Sequence, residues 1–91
     1  MAASPQHATL VASTVTTLTF DSDFNRVEVM SVDGAAEVYF TVSGTTPTVG
    51  GTGCHVLPAV ISSAEVEPTT SGPTVVKLIS SGTPKVSVRG L

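Results

Sequence analysis

The chain has 91 residues and a formal net charge of −3, a length that makes one domain with a thin core, since so small a fold buries only about 60–65% of the surface its unfolded chain exposes. Charged residues are 12% of the chain and aromatic residues 4%, which leaves neither the basic stripe nor the stacking platforms of a nucleic-acid binder. The single cysteine, Cys54, excludes an internal disulfide, no apolar run approaches the ~18 residues of a membrane span, and Met1–Leu10 lacks the basic and apolar regions of a signal peptide.

Composition favours strands and assembly. Val, Thr and Ser contribute 15, 14 and 11 residues, a β-branched excess that suits a pleated, half-buried surface. Few charges and a mean hydropathy of +0.36 imply a surface of hydroxyls and exposed aliphatics, more at home within an assembly than on a free monomer. Charge is also divided along the chain. Residues 1–67 carry Arg26 against seven acids, whereas 68–91 carry Lys77, Lys85 and Arg89 and no acid, an asymmetry suited to head-to-tail or ring contacts between copies.

Taken in order, residues 1–8 read as a flexible N-terminal arm, with Pro5, small side chains and no period. Residues 9–91 read as a single β-sandwich domain. Thr9 to Phe20 is β-branched throughout, with Leu10, Ala12, Leu18 and Phe20 on one face and Val11 and Val15 on the other, as in a long strand that is covered twice or crosses between sheets. Val27 to Val42 reads as a hairpin. Asp33-Gly34 is a strong turn signal, and a turn there sets Val29 opposite Val38 and Val27 opposite Phe40 on an apolar face, with Glu28, Met30, Glu37 and Tyr39 on the other. A four-residue turn over Asp33 to Ala36 preserves the same faces.

A Gly/Thr/Pro-rich loop covers 43–53. Its opening, Val42 to Val49, resembles Ile79 to Val86 in composition and spacing, which predicts the same turn chemistry closing two strand pairs. Short strands are expected at Cys54 to Leu57, Ala64 to Glu67, Val75 to Ser80 and after Lys85, where Val86 and Val88 face inward while Lys85, Ser87 and Arg89 face out. Thr69 to Pro73 is expected to turn. Helical spacing is absent. About seven short strands with turn signals between them predict an all-β fold, a compact antiparallel β-sandwich of Ig-like or jelly-roll type.

The candidate chemistry fails on its own requirements. Asp21, Asp23 and Asn25 have the opening spacing of a Ca²⁺ loop, but Arg26 occupies the glycine position and Val32 the position of the bidentate Glu. Cys54 and His55 are adjacent, so on a strand they point apart and cannot serve as nucleophile and base; Cys54 is expected buried and His55 at a rim. Gly50-Gly51-Thr52-Gly53 lacks the Lys and the helix of a phosphate cradle. Glu28 and Glu37 come near each other on the outer side of the hairpin, without a cleft to shift their pKa values. The chain is therefore expected to be no enzyme and to have no catalytic residue, cofactor or metal site.

The segments Phe24-Asn25-Arg26-Val27-Glu28-Val29, Asp33-Gly34, Val38-Tyr39-Phe40-Thr41-Val42, Pro47-Thr48-Val49-Gly50-Gly51 and Cys54-His55-Val56-Leu57-Pro58, followed by Val76-Lys77-Leu78-Ile79-Ser80 and Val86-Ser87-Val88-Arg89-Gly90, together resemble small β-sandwich virion proteins of tailed bacteriophages. The resemblance spans residues 20 to 90 and lies in strand pattern and loop composition. It implies a structural virion protein, foremost a capsid decoration protein on the outside of the shell, made in the host cytoplasm. It also implies a homo-oligomer, a trimer ahead of a dimer, bound to the major capsid protein lattice, with no nucleic-acid or membrane partner. A tail or baseplate subunit, a receptor- or carbohydrate-binding module and a plain cytosolic β domain are the rival expectations; the binding module is disfavoured because Phe20, Tyr39 and Phe40 fall in strands rather than loops.

Overall fold

Alternation with a period of two sorts apolar from polar residues along each segment of this chain, and the strands it produces are short. The structure, a computed structural model, describes residues 5–21, 24–68 and 73–91. Its strands are β1 (Gln6–Thr9), β2 (Thr16–Thr19), β3 (Val27–Ser31), β4 (Val38–Thr41), β5 (His55–Leu57), β6 (Ser62–Val66), β7 (Val75–Ile79) and β8 (Lys85–Gly90), and no helix occurs among the described residues.

The strands form two four-stranded sheets, β1-β8-β3-β6 and β2-β7-β4-β5, with every neighbouring pair antiparallel. Pairing is nested: β1 with β8, β2 with β7, β3 with β6 and β4 with β5. The chain is thus one long hairpin whose two arms wind around each other and pass from sheet to sheet, the order of a jelly roll and not of an Ig domain. Consecutive strands share a sheet only at β4–β5.

Between the sheets lie Leu10, Phe20, Val27, Val29, Val38, Phe40, Leu78 and Val88, all buried. Among the described residues, each buried polar side chain makes a hydrogen bond. Thr41 Oγ1 donates to the Thr45 carbonyl at 2.5 Å, Ser80 Oγ donates to the Glu37 carbonyl at 2.6 Å, and Thr74 Oγ1 and Ser31 Oγ accept the N–H groups of Phe24 and Gly34. Such satisfaction is what makes buried hydroxyls tolerable in a thin core. Phe24 packs where Gly90 leaves room, since a Cβ on Gly90 would lie 2.2 Å from the Phe24 ring, and its ring meets Phe20 edge-on with centroids 5.7 Å apart.

Several expectations change. The Val27–Val42 hairpin does not form: β3 pairs with β6 and β8, β4 pairs with β5 and β7, and the two strands lie in opposite sheets. Val27, Val29, Val38, Phe40 and Val42 are nevertheless all buried, because each strand turns its apolar side to the common core from its own sheet. Glu28 and Glu37 are consequently not neighbours; Glu28 pairs with Arg89 at 2.7 Å and Glu37 with Ser81 at 2.6 Å.

Of the arm expected over residues 1–8, Gln6, His7 and Ala8 are instead paired with Val88, Ser87 and Val86 in β1, and residues 1–4 lie outside the described residues. Thr9 to Phe20 crosses between sheets, with Ser13 at a positive φ of 57° in the corner. The two similar strings at 42–49 and 79–86 do different jobs, since the first opens the β4–β5 hairpin and the second carries the chain from one sheet to the other. Val86 and Val88 face the core and Lys85 and Arg89 face out, as alternation requires. Most of the turn expected at Thr69 to Pro73 lies outside the described residues.

Candidate interaction surface

Four connections meet at one end of the sandwich: β1–β2 (residues 10–15), β3–β4 (32–37), β5–β6 (58–61) and β7–β8 (80–84). They are tied to one another as well as to the strands. Ser13 N–H donates to the Ser80 carbonyl at 2.8 Å, Ser80 Oγ reaches the Glu37 carbonyl, and Ser81 Oγ donates to Glu37 Oε1. Asp33 Oδ1 accepts the N–H groups of Ala35 at 3.2 Å and of Lys85 at 3.1 Å. Gly34 lies so close to the β5–β6 connection that a Cβ there would sit 2.6 Å from the Val60 carbonyl carbon. This end is therefore a rigid platform and not a set of free loops.

Its exterior carries exposed aliphatics among hydroxyl side chains. Val11, Val32, Val60 and Ile61 are 59%, 46%, 56% and 72% exposed, half of the large hydrophobic side chains that reach solvent on the described chain. The only acids on these connections are Asp33 and Glu37, and both are engaged inward. The Lys85 and Ala35 N–H groups hold the Asp33 carboxyl below its ordinary pKa, and the Ser81 hydroxyl, helped by the residue's own N–H, does the same for Glu37. An end that exposes aliphatics while its charges are spent on internal bonds is suited to burial against another protein surface.

The outer face of β1-β8-β3-β6 adjoins this end. His7, Ser87, Met30 and Ser63 form one row across its four strands, and Arg89, Glu28 and Glu65 form the next. Ser87 is small and stands between the larger His7 and Met30, so a trough of about 520 Å³ opens over it, bounded by Val32 and Lys85. On the second sheet Tyr39, Val56 and Ile79 stand in one row on the outer side, Val56 exposed and Ile79 covered.

Among the described residues, the side chains of the candidate motifs stand apart. Asp21 and Asn25 are exposed and Asp23 lies outside the described residues; among the described residues, no three His, Cys, Asp or Glu side chains gather as metal ligands. Cys54 is half-buried with Sγ 4.0 Å from the Thr48 carbonyl, while the His55 ring lies over Phe40 with centroids 5.2 Å apart. Within the Gly50–Gly53 run, the Gly51 N–H closes a turn onto the Thr48 carbonyl. The apolar platform escaped sequence reasoning because its members are scattered from Val11 to Ile61. The isolated Pro-Ala-Val-Ile at 58–61, aliphatic yet outside any alternating strand, was its one local trace.

Comparison with known proteins bears on the architecture. No protein-family model and no curated protein matches this chain. Among solved structures it is similar to a de novo designed double-stranded β-helix determined by solution NMR, with a TM-score of 0.63 over 98% of this chain and 100% of the design. The fold is a double-stranded β-helix. At 18% identity the likeness to the design concerns fold alone. A double-stranded β-helix hosts many functions, so function must be argued from surfaces.

Proposed function

We propose that this chain is a structural virion protein of a tailed bacteriophage, a capsid decoration protein that binds the outside of the shell as a homo-oligomer. The observation that carries the reading is the rigid apolar platform at one end of the sandwich, where Val11, Val32, Val60 and Ile61 are exposed on connections locked by inter-loop hydrogen bonds. A lattice-bound subunit needs such a surface, because a preorganised patch loses little entropy on docking. The resemblance of strand pattern and loop composition to small virion proteins, the scarcity of charge and the hydroxyl-rich composition support the same role.

The test is co-sedimentation of the purified chain with empty shells of the parent particle. The wild-type chain is expected to pellet with the shells and Ile61→Asp to remain in the supernatant, because a charge at the centre of an apolar contact is desolvated without a partner. Failure of the folded wild-type chain to bind shells would remove the decoration role and leave the tail or baseplate reading ahead.

A further inference from the structure

We infer that two copies of this chain pair face to face through the outer side of the β1-β8-β3-β6 sheet, about a two-fold axis running along the strands between β8 and β3. This deepens the reading of the chain as a self-associating subunit and rests on it. The sheet has four strands, so its midline falls between β8 and β3. Rotation about an axis above that midline places β8 over the partner's β3 and β1 over the partner's β6, and leaves each row of residues facing the same row of the other copy.

The rows are complementary under that rotation. In the first, Ser87 faces the partner's Met30, so the one apolar side chain of the row enters the trough over Ser87, and it does so twice. His7 then faces the partner's Ser63. In the next row, Arg89 faces the partner's Glu28. Arg89 Nε already donates to Glu28 Oε1 within one copy at 2.7 Å, so pairing closes a ring of four alternating charges. On the other side Val32, whose N–H donates to the Lys85 carbonyl, shares a row with Lys85; it therefore covers the aliphatic stem of the partner's Lys85. No like charges confront each other in any row.

Two features of sheet packing agree with this contact. Twisted sheets stack at about −30°, which keeps the centre of the face in register while the corners diverge; Ser87, Met30, Arg89 and Glu28 are the four central residues. Four strands at about 4.8 Å spacing and five residues at about 3.3 Å make a face of roughly 19 by 17 Å. Covering it on both copies buries roughly 650 Å² of flat area, below the ~1,000 Å² of a stable interface, so the dimer is expected to be weak and concentration-dependent. Edge-to-edge addition at β6 is opposed by the exposed acids Glu65 within the strand and Glu67 just past it.

Sedimentation equilibrium of the full chain alone, across a concentration series, tests the contact. The wild-type chain is expected to form a dimer. Ser87→Arg, on the outer face and remote from the core, fills the trough and should weaken dimerisation about tenfold or more without lowering the melting temperature. Glu28→Arg should weaken it likewise, and the exchange Glu28→Arg with Arg89→Glu should restore it, since the alternating ring is rebuilt. A wild-type chain that stays monomeric, a trimer, or a dimer indifferent to Ser87→Arg would overturn the inference, as would failure of the exchange to rescue. Shell binding by monomeric Ser87→Arg is read separately, so loss of pairing and loss of the proposed capsid role are distinguished.

Discussion

Asp33 and Lys85, 52 residues apart in the chain, are held together through the backbone: Asp33 Oδ1 accepts the Lys85 N–H at 3.1 Å, and the Lys85 carbonyl accepts the Val32 N–H at 2.9 Å. Together these bonds dock the β3–β4 connection onto the start of β8. They also steer the chain after β3 over the end of the sandwich and into the opposite sheet, where a hairpin would have returned it beside β3. The same carboxylate oxygen accepts the Ala35 N–H, so a single side chain closes the local turn and anchors it to a distant strand.

Stability should accordingly fall in acid. The pKa of Asp33 is depressed by the Lys85 and Ala35 N–H groups and that of Glu37 chiefly by the Ser81 hydroxyl. A carboxylate with a depressed folded pKa contributes stability that is fully present above its unfolded pKa and is lost as pH falls through the folded value. The melting temperature is therefore expected to be level above the usual carboxylate range and to drop below it. Asp33→Asn combined with Glu37→Gln should start lower at neutral pH and decline less steeply; an unchanged slope would show that these two groups do not govern the acid limb.

Gly34 is the second element of that connection with a checkable role. Its φ is +63°, and a Cβ would meet the backbone of Val60 and Ile61 at 2.6–2.8 Å. Gly34→Ala is expected to cost more than the ~1–2 kcal/mol of a left-handed non-glycine residue, because the β5–β6 connection must also move. Gly44 has a φ of +84° and open space around it, so Gly44→Ala should cost the conformational part alone. Equal losses in equilibrium denaturation would mean that the close approach at Gly34 carries no energy.

Phe40 is fully buried in the second sheet, against the inward residues of both layers. Phe40→Ala should cost about 3–5 kcal/mol, a large share of the ~5–15 kcal/mol that stabilises a domain. Tyr39, next to it, faces outward in the row of Val56 and Ile79, and Tyr39→Ala should cost clearly less. Urea titrations of the two variants decide this, and a loss below about 1 kcal/mol for Phe40→Ala would contradict its place in the core.

The amino-acid sequence by itself determined which side of each strand is buried. Val27, Val29, Val38, Phe40, Val86 and Val88 turn inward because side chains alternate at every residue of a strand, and that alternation is local. It also determined the all-β class and the break at each proline and glycine cluster. Pairing was decided by tertiary structure alone. The inward residues of β3 and β4 would make an equally apolar face as a hairpin, and nothing near Asp33-Gly34 distinguishes that outcome from a crossing between sheets; the bond that does so reaches Lys85, on a strand the chain has yet to form. The apolar platform was hidden for the same reason. Val11, Val32, Val60 and Ile61 are separate exposed aliphatics in the sequence, and they become one surface only because the nested winding of two arms brings four distant connections to the same end.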